Sequence, residues 1–247
     1  MGELETYKRR LYEAYISSGH RTFSVDLRAD LERSRPYRES LVRKFFPEDK
    51  DAAIVDLGCG TGLFVHMAHE LGYRNAIGID AAQALIEAGQ AQGIQNISVD
   101  LIEDFLASTE DQSYDFVALM DVLEHMDRAE AMETLDGVLR ILKPGGGFLM
   151  HVPNAGGIFP GVIRYGDLTH ELAFTKTSLN QMLSTVGFES VAVFEDLPVT
   201  NGLKSAARRL IWIVGALPFR LMYAAETGSF DCCLTQNVTV FSRRPKC

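Results

Sequence analysis

Asp121, Glu124 and His125 stand close together in the run D-V-L-E-H, and His170 follows in a second polar and aromatic run, R-Y-G-D-L-T-H-E-L-A-F-T, over residues 164–175. Two carboxylates and an imidazole are a donor set that can hold a divalent cation and lower the pKa of a bound hydroxyl. The plainer reading is that Glu124 and His125 begin a helix and hydrogen-bond the neighbouring loop. It is preferred, because one short cluster fixes no coordination geometry. His170 carries an imidazole that titrates near neutrality and could take a proton from a hydroxyl, or could simply hold its own loop. A second set of acids closes short apolar runs: Asp56 within I-V-D-L, Asp80 after A-I-G-I and Asp100 after I-S-V. Between the first two lie Gly58, Gly60 and Gly62.

These residues need elements to carry them. Ile54, Val55 and Leu57 make a short strand, the three glycines a tight turn, and a helical pattern runs from Leu63 until Gly72 stops it. Glycines at alternate positions clear the turn of side chains, so an extended ligand can lie against its backbone. The dinucleotide fingerprint G-x-G-x-x-G would need its last glycine where Leu63 stands, which disfavours a dehydrogenase. Asp80, ending the second strand, offers two oxygens to the paired hydroxyls of a ribose. Further strands are expected at Ile97–Val99, Tyr114–Met120 and Phe148–Val152, with a helix from Arg128 to Leu142 and an L-K-P-G-G turn after it. Asn154 follows at the same sheet end and is a candidate to line a pocket. Ser178 to Val186 reads as a helix ended by Gly187, Phe188 to Phe194 as a strand, and Asn237 to Ser242 as the last strand.

The strand, acid and G-x-G-x-G of residues 54–62, then Asp80, D-V-L-E-H, L-K-P-G-G and S-L-x-x-M-L-x-x-x-G-F (178–188), resemble in this order the class I S-adenosylmethionine-dependent methyltransferases. The match spans roughly Ala52 to Phe194. The resemblance implies an α/β, Rossmann-like doubly wound sheet of seven strands, six parallel and one antiparallel, with N-terminal helices and a helical insertion before the last strand. It implies a helical cap over residues 1–50 and a methyltransferase domain over 51–247, with the insertion at about 197–235. S-adenosylmethionine is the implied cofactor. Asp56, Gly58, Cys59, Gly60, Gly62, Asp80, Asp100 and Leu101 are its implied binding residues, Asp104 is a register-shifted alternative to Asp100, and Asp121 faces cofactor or acceptor.

The D-V-L-E-H segment also resembles small-molecule O-methyltransferases, including those of ubiquinone biosynthesis, some of which bind a divalent metal at an acid-x-x-Glu-His run. That makes Asp121, Glu124 and His125 metal candidates, with metal the less favoured reading. The D-x-T-H-x-x-x-F-T loop, Asp167 to Thr175, resembles methyltransferases of polysaccharide and O-antigen gene clusters. The implied activity is methyl transfer to a sugar hydroxyl of a bacterial surface glycan or lipid-linked precursor, with His170 or Asp121 as base. A quinone-type or other lipophilic acceptor is the alternative, and a non-catalytic S-adenosylmethionine-binding subunit is a third reading.

At 247 residues, 47% of them hydrophobic, the chain suits one large α/β domain. A net charge of −9 disfavours a broad nucleic-acid surface. Cys59, Cys232, Cys233 and Cys247 form no C-x-x-C pair, which fits a reducing, cytoplasmic setting. The charged first ten residues do not read as a secretory leader. Helical patterns run over Leu4 to Ser18 and Arg35 to Phe46. Within the insertion, Leu210 to Phe219 carries no charge and is flanked by Lys204, Arg208, Arg209 and Arg220. Ten such residues are too few to span a bilayer. A lid over the acceptor pocket or a homodimer contact is expected first, and peripheral membrane contact through Leu210 to Phe219 competes with both.

Overall fold

Strand side chains alternate between two faces, and in this chain both faces are apolar. In β1 (Ile54–Leu57), Ile54 joins one buried cluster while Val55 and Leu57 join the other; in β4 (Tyr114–Met120), Phe116 and Ala118 part from Val117 and Leu119 in the same way. Such strands must be covered by helices on both sides. The computed structural model describes residues 27–246 and shows that arrangement.

One layer holds α1 (Leu27–Phe45), α2 (Leu63–Glu70) and α3 (Gln83–Ala91), with Leu41, Val42, Phe64, Met67 and Ile86 buried against the sheet. The other holds α4 (Ile102–Ser108), α5 (Arg128–Ile141) and α7 (Lys176–Val186), with Leu106, Leu135, Val138, Leu179 and Leu183 buried. The remaining strands are β2 (Ala76–Asp80), β3 (Ile97–Val99), β5 (Leu142–Pro153), β6 (Glu189–Glu195) and β7 (Asn237–Arg243), with short α6 (Pro160–Arg164) and long α8 (Leu203–Thr227) between them. The sheet runs β3-β2-β1-β4-β5-β7-β6, and β7 is antiparallel to both its neighbours. Strand order reverses between β1 and β4, so the loops leaving those two strands part and open a crevice at their C-terminal ends.

The expected seven strands and their sense are as found, and three details differ. Helix α1 begins at Leu27, well before Arg35, and runs through Pro36; the pattern at Leu4 to Ser18 lies outside the described residues. The L-K-P-G-G segment is not a free turn. Leu142 already pairs with Tyr114, and the register then shifts so that Gly147 faces Phe116, which carries the proline and glycines inside β5. Finally, the uncharged ten residues of the insertion are the middle of a 25-residue helix, α8.

Helix α3 meets the glycine turn at its closest point at Gly89. A methyl group there would overlap the carbonyl oxygen of Thr61 and press on Ile97. Alanine would gain about 1 kcal/mol of helix propensity, but overpacking against a backbone atom costs about 1–3 kcal/mol. Gly89→Ala is therefore expected to lower stability in urea unfolding, and an unchanged or raised midpoint would show that the helix has room to move away.

Candidate functional site

The turn after β1 is folded back over β2. The amides of Gly58 and Cys59 both donate to the carbonyl of Ile79 at 2.8 Å, and the amide of Gly60 donates to Asp80 Oδ2 at 2.8 Å. Gly60 has φ 59°, and a Cβ there would meet nothing within 4 Å, so the outer face of the turn is open. The second Asp80 oxygen accepts from the amide of Ala82 at 2.8 Å; each oxygen keeps a lone pair for a ligand hydroxyl. Asp100 lies next to it, its amide donating to the Asp80 carbonyl at 3.2 Å, and the exposed side chains of Val99 and Leu101 border the same edge. Asp104 stands instead on the exposed face of α4.

Behind the turn Asp56 is buried, and its Oδ1 has no hydrogen-bond partner among the described residues. Burial pushes its pKa up to about 7; the Arg38 guanidinium, reaching across from α1, lowers it and the Asp80 carboxylate raises it. Burial likewise holds the Cys59 thiol far above its usual range, so Cys59 contributes backbone rather than a thiolate nucleophile. An open glycine turn, a diol acceptor, an apolar edge and an orphaned buried carboxylate oxygen beside an arginine fit the parts of S-adenosylmethionine: backbone clearance, ribose, adenine, and an amino acid's ammonium and carboxylate.

Across the crevice, Asp121 ends β4 in the left-handed region, φ 57°, with its amide donating to the carbonyl of His151 at 3.0 Å. Its Oδ1 lies 2.6 Å from His151 Nδ1, and on the far side His151 Nε2 is 3.4 Å from Asp196 Oδ2. His151 is 5% exposed. Burial opposes its charge, but the carboxylates of Asp121 and Asp196 overcome that and raise its pKa to about 10. Tyr37 from α1 sets its ring edge-on to His151 at 6.0 Å, with its hydroxyl 3.4 Å from Thr239 Oγ1. Burial, then the Asp196 charge, keep that hydroxyl protonated. Tyr37, Asp196 and Thr239 open onto a cavity of about 500 Å³ whose wall also includes Lys44, Arg209 and Asp231.

His151 and Asp196 are functional candidates that the sequence reading did not single out. His151 is the one polar side chain in F-L-M-H-V, which was a usable signal; Asp196 and Tyr37 gave none.

The D-V-L-E-H segment divides. Asp121 is committed to His151, whereas Glu124 and His125, in a single 3₁₀ turn, meet His170 from the later loop. One donor atom from each of these three lies within 4.8 Å of the others. The Nδ1 of His125 is 2.8 Å from Thr169 Oγ1, which donates on to Asp167, and the Nδ1 of His170 is 2.9 Å from the carbonyl of Ile163. In the tautomers that fit, both Nδ1 atoms carry hydrogens and both Nε2 atoms keep lone pairs. Burial and the neighbouring His170 lower the pKa of His125 to about 4. The loop contacts expected of the plainer reading are present as well, since the Glu124 carbonyl accepts from the amides of Glu171 and Leu172. Asn154 does not line a pocket: it is 2% exposed, and its amide donates to the carbonyls of Cys233 and Thr235 at 2.8 Å.

A reversed seven-strand sheet with this turn defines the S-adenosylmethionine-dependent methyltransferase fold. A solved methyltransferase of that kind from Archaeoglobus fulgidus superposes with TM-score 0.63 over 85% of this chain and 94% of its own, at 21% identity. The phosphoethanolamine N-methyltransferase 2 of Haemonchus contortus, solved with S-adenosylmethionine, superposes with TM-score 0.60 over 85% of this chain and 52% of its own, at 16% identity. The family described as a methyltransferase domain matches residues 29–193, well over half of the chain, and the chain belongs to it.

Among curated relatives, the mitochondrial ubiquinone biosynthesis O-methyltransferase of Dictyostelium discoideum is 31% identical over 41% of this chain and 35% of its own. The tRNA U34 carboxymethyltransferase of Desulfotalea psychrophila is 27% identical over 77% of this chain and 61% of its own. The chain thus spans from about a third to three fifths of the length of these relatives.

Asp56 gives the site a pH signature. An ammonium brought against its carboxylate favours the charged form, so binding S-adenosylmethionine is expected to release a proton below pH of about 7 and to tighten as pH rises through that range. Calorimetry in buffers of different ionisation enthalpy reads this directly; proton uptake would show that Asp56 is not beside the ammonium. In the unliganded protein the raised pKa has the opposite sense: the folded state binds the extra proton, so stability falls as pH rises from the usual carboxylate range to about 7.

Proposed function

We propose that this chain transfers the methyl group of S-adenosylmethionine to a hydroxyl of a small acceptor, a sugar of a bacterial surface glycan or of its lipid-linked precursor. The observation that carries the reading is the row Asp121–His151–Asp196, which runs from the crevice to the 500 Å³ cavity. When bound, the cofactor supplies a sulfonium methyl already activated for in-line attack. What the chain must add is position, for which oriented reactants can contribute about 7–11 kcal/mol, and an acceptor for the hydroxyl proton.

His151 does not serve as that acceptor, because it keeps its proton to about pH 10. Its positive charge instead holds the two carboxylates in place. Asp121 makes the shorter, 2.6 Å contact with it, while Asp196, 3.4 Å away, faces the cavity with Tyr37. Asp196 therefore takes the hydroxyl proton in this reading, in place of the His170 or Asp121 base that the sequence suggested. The cavity wall mixes carboxylates, hydroxyls and the cations Lys44 and Arg209, a lining that suits a polyhydroxylated acceptor bearing an anionic group. Asp196→Asn is expected to lower kcat by about 10²–10⁴ with S-adenosylmethionine affinity kept; near-normal turnover would remove Asp196 from this role.

A second reading is favoured by one observation, the convergence of Glu124, His125 and His170. A divalent ion held there would polarise an acceptor hydroxyl, as in a metal-assisted O-methyltransferase with a lipophilic, quinone-type acceptor. The two readings separate cleanly when methyl-labelled donor is incubated with extracts of the source cells. Label in polysaccharide or lipid-linked sugar that survives chelation, and survives His170→Ala, supports the first. Chelator-sensitive label in a quinone fraction, abolished by His170→Ala, supports the second.

A further inference from the structure

Helix α8 has two unlike sides. Ser205, Arg209, Trp212, Ala216, Arg220 and Ala224 recur every three or four residues and form the face turned to the domain; Ala216 is fully buried. Arg220 pins that face down through an ion pair with Glu195 and a 3.2 Å bond to the carbonyl of Cys232. Almost everything else on the helix is apolar and uncovered. Leu210 is 63% exposed, Ile211 71%, Val214 63% and Met222 69%, with Ile213, Leu217 and Leu221 each more than half exposed. Phe230, just beyond the helix, is 64% exposed.

Charge is as unevenly placed as apolar surface. From Leu203 to Ala225 the chain holds Lys204, Arg208, Arg209 and Arg220 and no acid, in a protein of net charge −9. Lys204 and Arg208 stand exposed on the first two turns, and Arg209 half-buried beside the cavity. A seam between two helices would occupy a narrow stripe, and a parallel pair would set these cations against those of the copy. Here the apolar surface spreads from Ile213 through Leu210 and Val214 to Ile211 and Met222, about half of the circumference. A broad apolar face with cations at one end and a single acid, Glu226, at the other matches the boundary between head groups and acyl chains of an anionic bilayer.

By length and composition α8 could also cross a membrane. Crossing would strip Arg220 from Glu195 and carry a guanidinium into hydrocarbon, which is costly. The inner face also stays packed on the domain. A helix held in this way can meet a bilayer only along its outer face.

We propose that α8 is a membrane-docking element that seats the domain on anionic lipid with its outer face, Leu210, Val214, Leu217 and Leu221, in the acyl boundary and Lys204 and Arg208 among the head groups. The proposal does not rest on the identity of the acceptor. Since Arg209 on the inner face lines the cavity, docking sets that cavity close to the lipid surface.

Flotation of the full chain with phosphatidylcholine vesicles, with and without phosphatidylglycerol, tests it. The expected result is binding that requires phosphatidylglycerol and weakens with salt, and that falls roughly tenfold or more in Lys204→Glu with Arg208→Glu and again in Val214→Ser with Leu217→Ser. These side chains are exposed, so the variants should keep their circular dichroism and S-adenosylmethionine affinity, which separates lost docking from lost folding. Absence of wild-type binding to anionic vesicles would overturn the proposal, as would binding that both variants retain. So would a two-chain mass in lipid-free solution that Leu217→Ser reduces to one chain while vesicle binding is nil, which would assign the face to a second copy.

Discussion

A charged imidazole between two carboxylates, shut away from water, ties together parts of this molecule that are far apart in sequence. His151 sits on β5, Asp121 ends β4, and Asp196 opens the segment after β6. Each alone would be costly to bury; together their opposite charges compensate one another, and removing the central one would leave two acids facing each other. Asp121 accepts a left-handed backbone, which costs a non-glycine residue of order 1 kcal/mol or more, in order to bond His151 through both its amide and its carboxylate. The clamp thereby fixes the spacing between the cofactor side of the crevice and the cavity where an acceptor would lie. Tyr37 extends the same constraint to α1, which supplies part of the cavity wall.

The cofactor half of the site was legible because it is local. Asp56 and the three glycines lie within one strand and turn, and Asp80 ends the next strand, so the pattern of strand, turn, helix and strand states their placement directly. The acceptor half was not, since its members meet through the sheet rather than along the chain. Asp196 follows β6, and nothing near it in sequence says that β7 will be inserted between β5 and β6 and leave the residue within reach of His151. His170 was visible as a polar residue in a polar loop, but its neighbours His125 and Glu124 could be known only once the loop was seen to fold back over the 3₁₀ turn. The fold is similar in this respect: short apolar runs closed by acids or glycines placed the strands, while the register shift inside β5 depends on a partner strand the segment itself does not describe.

Glu124, His125 and His170 show how one sequence motif can be split by tertiary structure. Three residues of D-V-L-E-H could have formed a single donor set, but the chain turns after Asp121, sending its carboxylate toward β5 and the next two donors toward the loop of residues 164–175. The result is two polar centres a few residues apart. One is an ionic row of two carboxylates about one imidazolium, open to the cavity at Asp196. The other brings together two imidazoles, each oriented by a hydrogen bond at Nδ1.

The insertion between β6 and β7 follows from the same topology. In a minimal sheet these two antiparallel strands would be joined by a hairpin, so any added segment must leave and return at the sheet end where the crevice opens. Helix α8 fills that position with one face anchored by Arg220 and the other uncovered. Burying the uncovered face within the chain would require a further layer, which the described residues do not supply. An apolar helix beside a polar cavity is thus a consequence of where the fold permits growth, and its inner face adds Arg209 to the cavity wall beside Lys44.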